Sequence, residues 1–135
     1  MRPRAAFELA RLRFAEIGAE GAGARLSATQ LADILTLLFS ARGQAPPLAE
    51  VYELIADVWA RSASAPTPGH LQVLEEGVRL FPRRTKLIQR AAQVQLQFGF
   101  RKEAAAFVDL GLRVATDAAE REVFVQLRRE LEAMK

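Results

Sequence analysis

The sequence predicts an all-α fold: antiparallel helix–turn–helix units, about seven helices in all, stacked as a short α-solenoid. Three observations carry this. First, 73–80 (VLEEGVRL) returns as 107–114 (FVDLGLRV), each residue 34 positions after its counterpart. Apolar falls on apolar, acid on acid, glycine on glycine and arginine on arginine, with Glu76/Leu110 the one break in class. A period near 34 with two helices per unit is the signature of a helical solenoid. Second, apolar residues recur at i, i+3, i+4 and i+7 through most of the chain, and no stretch alternates as a strand would. Third, Gly, Pro, Ser and Thr punctuate the chain at helix-length intervals.

A first helix is expected over 3–17, with Pro3 near N1 and Gly18 past its end. Residues 18–26 (GAEGAGARL) read as a flexible loop. Ser27 caps a second helix bearing Leu31, Ile34, Leu35, Leu38 and Phe39, which Gly43 terminates. Pro46 and Pro47 open a third, with Leu48, Val51, Tyr52, Ile55, Val58 and Trp59 as its apolar set. The segment 62–69 (SASAPTPG) is a turn. Thr67 caps a fourth helix, with Pro68 at N1 and Leu71, Leu74, Val78 and Phe81 inward, ending before Pro82. A fifth spans 84–98 and stops at Gly99, and a sixth spans 101–115. Asp117 caps a seventh, with Val123, Phe124, Leu127 and Leu131 on one face. Glu120, Arg121, Arg128, Glu130 and Glu132 make its other side polar, as the end of a solenoid requires.

Composition narrows the function classes. The 135 residues suit one domain, 50% of them hydrophobic, and contain no cysteine. Disulfides and cysteine-bound zinc are therefore excluded. The formal net charge is only +3, from 19 basic and 16 acidic residues. A dedicated nucleic-acid binder has a larger, clustered excess. Arg83, Arg84, Lys86 and Arg90 are the densest basic group, but aromatics for base stacking are not interleaved with them. No apolar run reaches the ~18 residues that span a bilayer, and charges at Glu8, Arg11, Arg13 and Glu16 break any signal-peptide core. A cytoplasmic location is expected. The wealth of Ala and Arg points to a GC-rich, bacterial genome.

Helices three to six, 46–116, resemble two tetratricopeptide repeats. Ala92 and Ala104 match the small residues where the paired helices of that family cross, Gly99 matches the turn glycine, and Gly77 and Gly111 match the small residue late in the second helix. Pro46 and Pro82 match the boundary proline, while Tyr52 and Ala56 match the large and small positions of a first helix. His70 stands where a small residue belongs, and Thr116 replaces the next boundary proline. The resemblance implies a short right-handed solenoid forming one all-α domain over 1–135. Within it, 1–45 would be an N-terminal helix pair from a degenerate repeat, 46–116 two repeats and 117–135 a capping helix.

Members of that family bind peptides on the concave face of their first helices. The register carries Glu50, Glu53, Leu54, Asp57 and Arg61 of the third helix to that face, with Lys86, Gln89, Arg90, Gln93 and Gln97 of the fifth. Lys86 and Arg90 resemble the Lys-x-x-x-Arg half of a carboxylate clamp, and arginine's fork suits a carboxylate. The chain has no asparagine to complete such a clamp, which argues against a chaperone tail and leaves capture of some acidic peptide.

No catalytic constellation emerges. The 18–23 loop (GAEGAG) is not a phosphate-binding GxGxxG. His70 is the only histidine and reads as a packing or helix-start residue, so neither a metal nor a cofactor is expected. The sequence reads as a protein-interaction or scaffold module taking a peptide or partner helix. The alternatives are a self-associating, homo-oligomeric structural domain of a larger protein and, behind it, a basic nucleic-acid-binding module.

Overall fold

Helix signals and helices coincide closely. The computed structural model describes residues 3–19, 26–42 and 48–134. Among them lie α1 (Pro3–Ala19), α2 (Ala28–Arg42), α3 (Ala49–Ala60), α4 (Pro68–Leu80), α5 (Thr85–Gln97), α6 (Arg101–Val114) and α7 (Ala118–Ala133). No strand occurs among the described residues, so the all-helical class stands. Of the loop expected over 18–26, Gly18 and Ala19 instead complete α1, which does not stop at 17, while 20–25, the stop at Gly43 and the prolines Pro46 and Pro47 lie outside the described residues. The chain divides into two compact units, Met1–Pro66 and Thr67–Lys135. That boundary falls inside the stretch the resemblance assigns to the first repeat.

In the first unit, α1 and α2 pack on each other and both on α3. Ala6, Phe7, Ala10 and Ile17 of α1 are buried, as are Leu31, Ile34, Leu35, Leu38 and Ala41 of α2. Both sets follow the helical period, which places them on one stripe. Ser27 caps α2 reciprocally: its Oγ accepts the Gln30 N–H (3.2 Å) and Gln30 Oε1 accepts the Ser27 N–H (3.0 Å). Two amides that helix geometry leaves orphaned are thereby satisfied. α3 is enclosed on nearly every side, with each residue from Val51 to Ala56 buried, together with Val58 and Trp59. Its end is tied back to the start of α2. Leu26 N–H donates to the Arg61 carbonyl (2.9 Å), and Leu26 forms an isolated parallel bridge with Ser62. Leu26, expected as the last residue of a flexible loop, is instead buried and pinned.

In the second unit, α4 packs on α5, α5 on α6, and α7 on both α5 and α6. Several helix ends have a local cause. At α4, Thr67 Oγ1 accepts the His70 N–H (3.3 Å) and His70 Nδ1 accepts the Thr67 N–H (3.2 Å). His70 is thus a helix-start residue, which accounts for its departure from the small residue of the repeat pattern. α5 ends in a Schellman motif. Gly99 has φ +82°, its N–H donates to the Leu96 carbonyl (3.2 Å), and the Phe100 N–H donates to the Gln95 carbonyl (2.8 Å). A left-handed residue after a helix favours glycine. At α7, Asp117 Oδ1 accepts the Glu120 N–H (2.8 Å). The Thr116 N–H donates to Glu120 Oε2 (3.0 Å). A proline at 116 would delete that donor.

The helices of this unit approach closely through small residues. Ala92 of α5 and Ala104 of α6 are fully buried. Gly111 of α6 lies against Phe124 of α7, and a Cβ built on Gly111 would overlap the ring. Phe124 is only 1% exposed. Burying such a side chain contributes roughly 1.5–3 kcal/mol. One buried side chain is discordant: Gln95 is 0% exposed, yet neither its Oε1 nor its Nε2 has a hydrogen-bond partner among the described residues.

Two outcomes follow for stability. Gly111→Ala should destabilise the fold by about 1–3 kcal/mol in urea unfolding, as overpacked cores do. Adding Phe124→Leu should recover part of that loss, since the two sites share one contact. Gln95→Met, close to Gln95 in shape and free of orphaned polar atoms, should raise stability by about 1–3 kcal/mol.

Candidate functional site

The residues expected to bind belong to two units. In the first, the acidic trio does not form a free face. Glu53 is 4% exposed and Leu54 is buried beside it, so neither lines an open surface as the register implied. The cause is the enclosure of α3, whose polar positions are covered as well as its apolar ones. Glu50 is half-buried and holds Arg4 Nη1 of α1 at 3.4 Å. Asp57 and Arg61 are half-buried.

In the second unit the expected α5 residues do share a side. Lys86, Gln93 and Gln97 are exposed, and Gln89 and Arg90 are half-buried. Their spacing of three and four residues stacks them along one stripe of the helix. Opposite this stripe runs α7, which packs on both α5 and α6. Between α5 and α7 lies a cleft of about 480 Å³, lined by Gln89 and Gln93 from α5 and by Glu122, Val123, Gln126 and Glu130 from α7 among others. Leu127, buried midway along α7, supplies apolar lining. A smaller hollow of about 280 Å³ continues the cleft, sharing Gln93 and Glu130 and adding Leu96, Gln97 and Met134. Met134 is 39% exposed, one of the few large apolar side chains that face solvent. Lys86 and Arg90, the expected clamp pair, line neither hollow.

The cleft's polar groups are uncommitted. Gln89, Gln93, Gln126, Glu122 and Glu130 make no hydrogen bond or ion pair among the described residues. Some carboxylates elsewhere are engaged: Glu8 with Arg11 (2.8 Å), Glu50 with Arg4, and Asp109 with Arg128 (2.9 Å). The α7 contribution is not legible in the sequence, which marks α7 as a capping helix with one apolar face and one polar side. Nothing in the periodicity of α7 says which polar stripe faces α5. A second depression, of about 700 Å³, lies where α6 begins, lined by Phe100, Arg101, Lys102 and Glu103 with Arg128, Leu131 and Glu132 of α7. Its charges are mixed, and Arg128 is held by Asp109.

The described residues hold no group of three or more His, Asp or Glu side chains placed to bind a metal. No helix among them is long and apolar enough to cross a membrane. No protein-family model, curated protein or solved structure matches the chain.

Because the cleft carboxylates support no other group, Glu122→Gln/Glu130→Gln should change thermal stability by less than about 0.5 kcal/mol, within the range of neutral surface substitutions. Differential scanning calorimetry checks this and establishes the pair as a clean binding variant.

Proposed function

We propose that this chain is a non-enzymatic protein-interaction module, tetratricopeptide-like in its second unit, that binds a peptide segment of a partner protein in the α5/α7 cleft and acts as a scaffold in the bacterial cytoplasm. The observation that carries this reading is the cleft itself. An open trough with an apolar base and five polar side chains without internal partners has the makeup of a recognition surface. Recognition sites combine apolar lining with a few placed polar groups that fix orientation. Each glutamine offers one acceptor and two donors, which suits an incoming backbone.

The trough supports a peptide better than a globular partner. Its two hollows, about 480 and 280 Å³, follow one another along α5 and α7, whereas stable interfaces between folded proteins bury about 800 Å² on each side. The clamp-like pair Lys86/Arg90 is displaced from the trough and is not assigned a role in it.

A pull-down from source-cell lysate tests the reading, using the full chain and a Gln89→Ala/Gln93→Ala/Gln126→Ala variant shown to be folded by circular dichroism. Proteins captured by the wild type should fall at least tenfold with the variant, while Lys86→Glu/Arg90→Glu should retain them within about twofold. Equal capture by the glutamine variant would overturn the site, and capture of nothing would overturn the interaction role.

A further inference from the structure

The cleft between α5 and α7 has a chemical preference, and it is the reverse of the one expected from Lys86 and Arg90. We infer that it receives an extended peptide segment bearing two basic side chains, one for Glu122 and one for Glu130, and an apolar side chain that enters the hollow of Leu96 and Met134. This inference rests on the peptide-binding reading above and names the class of segment.

Charge is the first argument. The chain as a whole is basic, with formal net charge +3. Yet among the described residues the charged side chains lining the cleft and its continuation are Glu122 and Glu130, both acidic and neither paired. A partner segment that brings cations neutralises them, and an acidic segment meets uncompensated repulsion. Complementarity of this kind selects partners and sets their register.

Spacing is the second argument. Gln89 and Gln93 lie four residues apart on α5, a rise of about 6 Å along the axis. In an extended chain, groups that face the same way recur every second residue, about 6.6–6.8 Å apart. Successive glutamines of α5 therefore meet successive same-facing amides of an extended peptide. A helical peptide offers no such row, because its interior N–H and C=O groups already pair with each other. Glu122 and Glu130 lie about 12 Å apart along α7 by the same helical rise. Basic side chains on one face of a strand four residues apart are separated by about 13 Å, within reach of flexible Lys or Arg stems.

The third argument is the hollow. It borders the cleft at Gln93 and Glu130 and is otherwise formed by Leu96, Gln97 and the part-exposed Met134. Methionine adapts its shape to varied apolar groups. An aliphatic or aromatic side chain beside the basic residue at Glu130 would fill it. Exposed ion pairs alone are weak, so this anchor supplies affinity while the two glutamates supply selection.

The experiment is selection of phage-displayed random dodecapeptides on the immobilised full chain, in parallel with the Glu122→Gln/Glu130→Gln and Gln89→Ala/Gln93→Ala/Gln126→Ala chains. Affinities of the enriched peptides, made with a fluorescein label, are then measured by fluorescence anisotropy. The expected result is enrichment of Lys or Arg at two positions about four apart with an adjacent apolar residue. Binding should weaken about tenfold with the glutamate variant and on raising salt from 50 mM to 500 mM, and Met134→Ser should relax the apolar preference. Enriched peptides that need the glutamines but are acidic or uncharged, or that bind the glutamate variant equally well, would overturn the cationic class and leave the peptide-binding reading standing. Failure to enrich any peptide that depends on the cleft would overturn both.

Discussion

The second unit is organised by the close approach of α7 to α6 at Gly111. Phe124 occupies the space where any other residue at 111 would place a Cβ. That contact lets α7 settle deep enough to touch α5 as well as α6. The position of α7 in turn decides what lies opposite Gln89 and Gln93. Were α7 held farther out, Glu122, Gln126 and Glu130 would face solvent alone and the cleft would open into a flat surface. The fully buried alanines Ala92 and Ala104 extend the same principle to α5 and α6. Small residues here act through what they omit. Cores packed to native density have no spare room for an added methyl group.

Three helix starts in this chain are settled by side chains close in sequence. Ser27 with Gln30, Thr67 with His70, and Asp117 with Glu120 each satisfy amides that the helix leaves open. Gly99 closes α5 through its left-handed backbone. Such caps define where helices start and stop, but they contribute only about 1 kcal/mol each. Apolar burial supplies more, and α3 shows its extent: even Glu53 is enclosed. Among the described residues, Gln95 is the one buried side chain with both polar atoms unpaired. It lines none of the described hollows, and the structure shows no gain that offsets its desolvation.

The candidate site takes its chemistry from polar groups that no neighbouring side chain occupies. Arg4, Arg11 and Arg128 are each drawn to a carboxylate of their own unit. The five polar side chains between α5 and α7 are not. A cleft whose polar groups are already satisfied gives a ligand little to recognise. One that presents donors, acceptors and two like charges over apolar lining can discriminate between ligands.

The sequence by itself determined the helical class, the seven helices and most of their ends. Those depend on interactions within a few residues: the apolar period, the caps at Ser27, Thr67 and Asp117, and the glycine at 99. It also pointed to Gly111 as a position that must stay small, and to the polar stripe of Gln89, Gln93 and Gln97. Only the tertiary structure decided which stripes face which. Glu53 is charged and therefore reads as exposed, yet α3 is covered on that side too. Leu26 closes a glycine-rich segment and reads as loop, yet it is pinned to Arg61 and Ser62 by partners some 35 residues away. Glu122 and Glu130 are ordinary helix-surface residues until α7 is laid along α5. Helical periodicity records that a residue is polar and which neighbours share its face. It carries no information on the rotation of one helix about its axis relative to another, and that rotation is what turned scattered glutamines and glutamates into a cleft.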